Sequence, residues 1–233
     1  MNYKNWEPTY KKILNDFNYS LENDEKGANV LNKILQKNKN VVSIRTLEDL
    51  IDGEEIIIFG AGPSLKSSII KHKKMFIDRI KIAADGATTA LLKNNIYPEI
   101  IATDLDGKVS DQLKASSEGC VTIIHAHGDN IDNIKKYTPK FKGEIIGTTQ
   151  SNPVPYNMLH NFGGFTDGDR AAYIADHFYA KEIYLVGFEF NGKIGEYSLI
   201  ENKDKRLKLK KLEWCKYLIN MLNKQNRINY LQN

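Results

Sequence analysis

The stretch Ile56–Leu65, "IIIFGAGPSL", sets the fold class. Four consecutive apolar residues suit a strand covered on both faces, and the glycine-rich turn behind them suits a change from strand to helix. Working outward, short apolar runs alternate with helix-length amphipathic segments: "IKIAA", "EIIA", "VTII", "EIIG" and "IYLV" come in turn. The pattern predicts an α/β protein with a mostly parallel, Rossmann-like sheet flanked by helices.

The first fifty residues read differently. Trp6, Tyr10, Ile13, Leu14 and Phe17 recur at helical spacing, as do Ala28, Leu31, Ile34 and Leu35. "TLED" at Thr46–Asp49 has the form of a capping box. These features predict an N-terminal helical subdomain over 1–52 and an α/β domain over 53–233. The second domain closes with a basic amphipathic helix around "KDKRLKLKKLEW". Segment Ser151–Gly164, with Pro153, Pro155 and a Gly-Gly pair, reads as a loop near the site.

Composition narrows the classes. The 233 residues give room for one large α/β domain with an appendage. A net charge of +4 suits a phosphorylated small molecule as well as nucleic acid, and nucleic acid is not taken as a partner. Cys120 and Cys215 lie far apart without CxxC spacing, which points to a reducing cytoplasm. The polar start "MNYKNWEPTYKK" is no signal peptide, and no run of eighteen apolar residues exists, so no membrane role is expected. The expected location is cytoplasmic, and a homodimer is allowed.

The residues just past each strand locate the site. The first three runs lead to Gly60-Ala61-Gly62-Pro63-Ser64, to Asp85-Gly86 and to Asp104-Leu105-Asp106. The later three lead to His125-Ala126-His127-Gly128-Asp129, to Thr148-Thr149-Gln150 and to Gly187-Phe188-Glu189. In a parallel sheet these ends share one edge, where open α/β folds bind ligands.

The turn "GAGPSL" offers backbone amides to an anion, with Pro63 suited to the first helical turn. It is neither a full GxGxxG nor a Walker A loop, and a turn without a ligand stays open. Asp85, 25 positions beyond Gly60, stands near the place of a ribose-binding acid, so a dinucleotide-binding module also stays open. Asp104 and Asp106 argue for a cation. Side chains two apart in extended backbone share a face, and two carboxylates about 5 Å apart repel by roughly 3 kcal/mol at an effective dielectric near 20. With Asp129 on the neighbouring edge, these hard oxygen donors predict Mg²⁺ rather than zinc. His125 and His127 lack a third partner for a zinc site and are read as hydrogen-bonding groups. In "GGFTDGDRA" (Gly163–Ala171) one of Asp167 and Asp169 reads as an N-cap. Arg170 reads as a phosphate clamp whose loss would spare stability.

Taken in order, "ADGATTALL", "PEIIATDLDG", "HAHGDN", "GGFTDGDRA" and "IGEYS" resemble the archaeal 6-hydroxymethyl-7,8-dihydropterin pyrophosphokinases, distant relatives of thiamin pyrophosphokinase. The resemblance covers roughly 56–222. It implies Mg²⁺-dependent transfer of a diphosphate from ATP to a hydroxymethyl group, with release of AMP, in tetrahydromethanopterin or folate-type pterin biosynthesis. ATP and a reduced hydroxymethylpterin are the implied partners. Asp104 and Asp106 match the acidic pair that holds magnesium in the thiamin enzymes, and Asp129 matches a later metal-binding aspartate. His125 departs from the pattern, standing where those enzymes have another acid. Gly60, Gly62, Pro63, Ser64, Asp85 and Gly86 are the expected nucleotide contacts. Thr148, Thr149, Gln150, Asn161, Phe165, Thr166, Asp167 and Asp169 are the expected substrate contacts, and Asp104, Asp106, Asp129 and Arg170 the expected catalytic group. "GAGPSL" also resembles a segment of bacterial sialyltransferases, which keeps a nucleotide-sugar-dependent glycosyltransferase as the alternative.

Overall fold

A computed structural model describes residues 2–190, 192–198, 205–223 and 226–231. Eight parallel strands form one sheet in the order β6-β5-β4-β3-β2-β1-β7-β8. The six expected strands are β1 (Glu55–Phe59), β2 (Ile80–Ala84), β3 (Ile100–Thr103), β4 (Val121–Ala126), β5 (Ile145–Thr149) and β7 (Glu182–Val186). Two more lie at the edges: β6 (Leu159–His160), inside the segment read as a loop, and β8 (Ile228–Leu231), beyond the closing helix.

The chain steps outward from β1 to β6 and then returns past β1 to form β7. That reversal is the topological switch point, and the loops leaving β1 and β7 part there to open a crevice. The strand residues alternate between two cores, as a two-residue period requires. Ile57, Phe59, Ala83 and Ile101 meet α4 (Leu65–His72), α5 (Ala87–Lys93) and α6 (Val109–Ser117) on one face. Ile56, Ile58, Ile82, Ile100 and Ala102 meet α3 (Arg45–Ile51), α8 (Asp167–His177) and α9 (Lys205–Leu222) on the other.

The N-terminal helices take opposite sides of this sheet. On the α8–α9 side lies α1 (Tyr3–Phe17), where Trp6, Tyr10 and Ile13 are buried with Phe165, Tyr173 and Leu218. Burial of each such side chain contributes about 1.5–3 kcal/mol before ordering entropy is counted. Opposite it, α2 (Leu21–Leu35) places Ala28, Leu31 and Leu35 against Ile124, Ala126 and Ile134, the last from α7 (Ile131–Tyr137). The link between α1 and α2 therefore crosses the carboxyl edge of the sheet. Gly27 permits the close docking of α2, since a Cβ there would collide with the His127 carbonyl oxygen.

The capping box expected at Thr46–Asp49 does not form. Helix α3 starts two residues earlier, at Arg45 with Ile44 as its N-cap, and the Ser43 hydroxyl accepts the Arg45 amide at 3.3 Å. Among the described residues, no helix is long and apolar enough to cross a membrane.

Candidate active site

The carboxyl edge carries a cavity of about 320 Å³, and all six expected strand ends reach it. Gly60 and Gly62 line it after β1, Asp85 and Gly86 after β2, and Asp104 and Asp106 after β3. His127, Gly128 and Asp129 line it after β4, Gln150 after β5, and Gly187 to Glu189 after β7. The glycine at position 62 is needed for close approach: a Cβ there would strike both the Gly187 carbonyl oxygen and the Glu189 carboxylate. Pro63 and Ser64 stand outside the cavity lining, with Pro63 just before the N-cap of α4.

Asp85, Asp104 and Asp167 each bring a carboxylate oxygen within 4.8 Å of the others, the only such acidic trio among the described residues. This set shares one member with the three aspartates expected to hold a metal. The reason lies at Leu105, whose φ of 67° ends the extended backbone assumed for the Asp104–Asp106 pair. The Asp106 amide instead donates to Asp104 Oδ1 at 3.2 Å, while the Leu105 side chain turns into the core. Asp106 and Asp129 remain exposed on the cavity rim.

Each member of the trio is held from behind. The Thr103 hydroxyl (2.8 Å), the Gln112 side-chain amide (2.7 Å) and the Gly107 amide (3.3 Å) donate to Asp85 Oδ1. His127 Nε2 lies 3.3 Å from Asp104 Oδ2, and its Nδ1 accepts the Asp129 amide at 3.2 Å. That second bond assigns the proton to Nε2, so the imidazole donates to Asp104. Arg170 Nη1 donates to Asp167 Oδ1 at 3.0 Å and Nη2 to the Phe165 carbonyl at 3.0 Å, with the arginine only 4% exposed.

Three buried carboxylates this close cannot all ionise cheaply. Burial, then the charges of Asp106 and Asp104, push Asp85 up to about 7. Burial and Asp104 push Asp167 well above the usual range despite Arg170. At Asp104 burial is overcome by the hydrogen bond from His127, with the charges of Lys211 and Arg170 adding to it, and the carboxyl falls well below the usual range. Burial and then the Arg170 charge push His125 far down, so its imidazole is neutral; its Nδ1 faces the Thr148 hydroxyl at 3.1 Å. Two carboxyls biased toward protonation beside an ionised one fit a hard divalent cation, which takes carboxylate oxygens and displaces their protons.

The raised Asp85 value has a signed consequence. The folded state holds this proton up to about pH 7, whereas the unfolded carboxyl loses it near 3.8. The group's contribution is thus fully present below the unfolded value and lost as pH rises through the folded one. Asp85→Asn mimics the protonated form and keeps the accepting oxygen. Its melting temperature, measured in chelator, is expected to gain on wild type as pH rises from about 5 to about 8. A difference that stays constant across that range contradicts the account.

The remaining expected residues divide. Phe165, Thr166, Asp167 and Arg170 line the cavity with Gln150. Asp169 does not: its carboxylate accepts the Phe165 and Thr166 amides and the Thr166 hydroxyl, completing the capping box of α8. Thr149 pairs with Ser151, and Asn161 donates to the Ser151 carbonyl, so both are engaged behind the cavity wall. Thr148 also lies outside the lining. Of the basic residues in α9, Lys208 and Lys211 line the cavity, whereas Lys210 pairs with Asp16.

Sequence reasoning missed Asp24 and Tyr19. Asp24 is 4% exposed, yet lines the cavity. It stands four residues before Ala28 on the apolar stripe of α2, and a carboxylate in that stripe was the available signal.

Fold and site together define a Rossmann-like α/β protein with an acidic pocket at the carboxyl edge of its sheet. The sequence model described as "6-hydroxymethylpterin diphosphokinase MptE-like" matches residues 29–194, and the chain belongs to that family. It is 42% identical to the 6-hydroxymethyl-7,8-dihydropterin pyrophosphokinase of Methanocaldococcus jannaschii, with 100% of both chains covered. Identity to the enzyme of the same name from Pyrococcus furiosus is 40%, covering 100% of this chain and 99% of that one. For the one from Methanothermobacter thermautotrophicus it is 39%, covering 96% of each. Among solved structures, the MAf glycosyltransferase from Magnetospirillum magneticum AMB-1 aligns with a TM-score of 0.44 at 17% identity. That alignment covers 62% of this chain and 26% of the other.

Proposed function

We propose that this protein transfers a diphosphoryl group from ATP to the hydroxymethyl group of 6-hydroxymethyl-7,8-dihydropterin and releases AMP. The observation that carries the reading is the trio Asp85, Asp104 and Asp167 with Arg170 beside it, at the switch-point edge of a chain that aligns end to end with pyrophosphokinases.

In this reaction the alcohol oxygen bonds to the β-phosphorus while the bond from that phosphorus to the α,β-bridging oxygen breaks. The alcohol loses its proton and AMP departs with the bridging oxygen. Negative charge must be balanced along the whole triphosphate. Asp85, Asp104 and Asp167 would hold Mg²⁺, which supplies charge neutralisation and alignment for phosphoryl oxygens. Asp106 and Asp129 extend the acidic set along the rim. His127 fixes the orientation of Asp104 through its Nε2–H. Arg170, locked by Asp167 and the Phe165 carbonyl, presents a fixed guanidinium to the phosphates. Lys208 and Lys211 add positive charge from the facing helix. Gly60, Gly62 and Gly86 line the same cavity and offer main-chain surface to the nucleotide.

The test is a competition. With Mg²⁺-ATP fixed and equal concentrations of the reduced hydroxymethylpterin and thiamin, the pterin diphosphate is expected to form at least about tenfold faster, a difference of about 1.4 kcal/mol in transition-state binding. Preferential formation of thiamin diphosphate rejects the acceptor.

A further inference from the structure

The reaction needs a seat for a flat heteroaromatic ring, and one part of the cavity is lined by aromatic side chains. It sits where the α1–α2 link crosses the carboxyl edge. Tyr19, in that link, and Phe165 both line it, with ring centroids 6.5 Å apart. Phe17 backs them at 5.3 and 5.0 Å. Lys211 Nζ lies 6.0 Å from the Tyr19 ring and 5.8 Å from the Phe165 ring, and its charge also acts on Asp104. The aromatic recess is therefore next to the trio.

Its polar wall is built by α1 and α2. Asp24 accepts the Tyr10 hydroxyl at 2.6 Å, the Gly128 amide at 2.8 Å and the Gln150 side-chain amide at 2.8 Å. Gln150 is held a second time, because its carbonyl accepts the Trp6 indole N–H at 3.1 Å. Helix α2 thus holds the Gln150 side chain, and α1 holds its main-chain carbonyl, at the end of β5. Asp24 has about four lone-pair sites and uses three, and the Gln150 amide has a second N–H. A buried carboxylate on a core-facing helix stripe is expensive where a leucine would pack, which gives its contact with the cavity a purpose.

We propose that this recess is the acceptor-ring subsite, in which Asp24 and Gln150 read the hydrogen-bonding edge of a 2-amino-4-oxopyrimidine ring while Tyr19 and Phe165 cover its face. The inference rests on the pterin reading above. That ring edge presents an amino group and a ring N–H beside a carbonyl, which an acceptor-only carboxylate and a donating amide complement. Helices α1 and α2 are then the specificity element of the enzyme.

Asp24→Asn tests this. The KM for the acceptor is expected to rise at least about tenfold, the loss of one hydrogen bond to a charged group. The KM for ATP should stay within about twofold of wild type, since the bonds of Asp24 run to Tyr10, Gly128 and Gln150 and not to the glycine turn. The variant should also lose the wild-type preference for the pterin over its analogue with oxygen in place of the 2-amino group. A role confined to stability lowers the melting temperature and leaves that preference intact. Gln150→Met provides the same test should Asp24→Asn fail to fold. Unchanged acceptor KM and unchanged discrimination overturn the subsite, as does a rise in the KM for ATP alone, which gives the recess to adenine. Fluorescence titration of the reduced hydroxymethylpterin without ATP keeps the two claims apart. If wild type binds the ring but transfers nothing, the reaction reading fails, and weaker binding by the variants still supports the subsite. Equal binding by the variants overturns it.

Discussion

Replacing Asp104 with asparagine is expected to lower turnover by about a thousandfold, or roughly 4 kcal/mol in the barrier, with the fold preserved. Asp104 is the member of the trio held ionised, by His127, Lys211 and Arg170 against its burial. It is therefore the strongest anchor for a cation in the cavity. Asp104 accepts from His127 Nε2 at Oδ2 and from the Asp106 amide at Oδ1, so the single asparagine oxygen keeps one of the two bonds while the side chain keeps its size. Removing this charge also relieves Asp85 and Asp167, which lie within 4.8 Å of it. Because the fold favours the ionised carboxylate, the melting temperature should fall modestly while activity collapses. A variant that melts early but turns over normally at saturating Mg²⁺ would make Asp104 a structural residue.

Arg170 carries the second large effect, and here two losses combine. Its guanidinium is buried between Asp167 and the Phe165 carbonyl, so Arg170→Ala strands a buried carboxyl group. Truncating one partner of such a pair typically removes about 3–5 kcal/mol of stability. The helix-start position in the sequence suggests a clamp whose removal spares the fold, and the 4% exposure of the residue reverses that expectation. Arg170→Lys keeps the charge but loses the planar fork, and turnover should fall about a hundredfold or more. The double variant Arg170→Ala/Asp167→Asn separates the effects. Chemical denaturation should show stability partly recovered, while turnover stays low. Recovery of both would assign the pair a purely structural role.

The sheet was legible because its inner strands are apolar on both faces; "IIIF" and "VTII" admit few other readings. The edge strands were not. Strand β6 is two residues long, and β8 buries Ile228 but exposes both Asn229 and Tyr230, a weak signal over four residues. The residues immediately after each strand were enough to find the cavity, since a parallel sheet sends every such end to the same edge. Which carboxylates meet was not readable, because it depends on contacts between distant segments. Asp85 reaches the trio only because β2 lies beside β3, where Thr103 and Gln112 can hold it. The sequence offered two acids at the start of α8. The capping geometry took Asp169 and left Asp167 for the site.

The part played by α1 and α2 was the least legible. Their apolar stripes predicted helices, but nothing local showed that they lie on opposite faces of the sheet. That placement is what carries Tyr19 and Asp24 over the edge and brings Trp6 to Gln150.

The central claim is that the phosphorus attacked at this site is the β-phosphorus. The direct measurement uses ATP labelled at that position, with Mg²⁺ and the reduced hydroxymethylpterin. The label is expected to move into the pterin product while unlabelled AMP accumulates one-for-one, and EDTA is expected to stop both. Label retained in ADP would mean attack at the γ-phosphorus and would contradict the account.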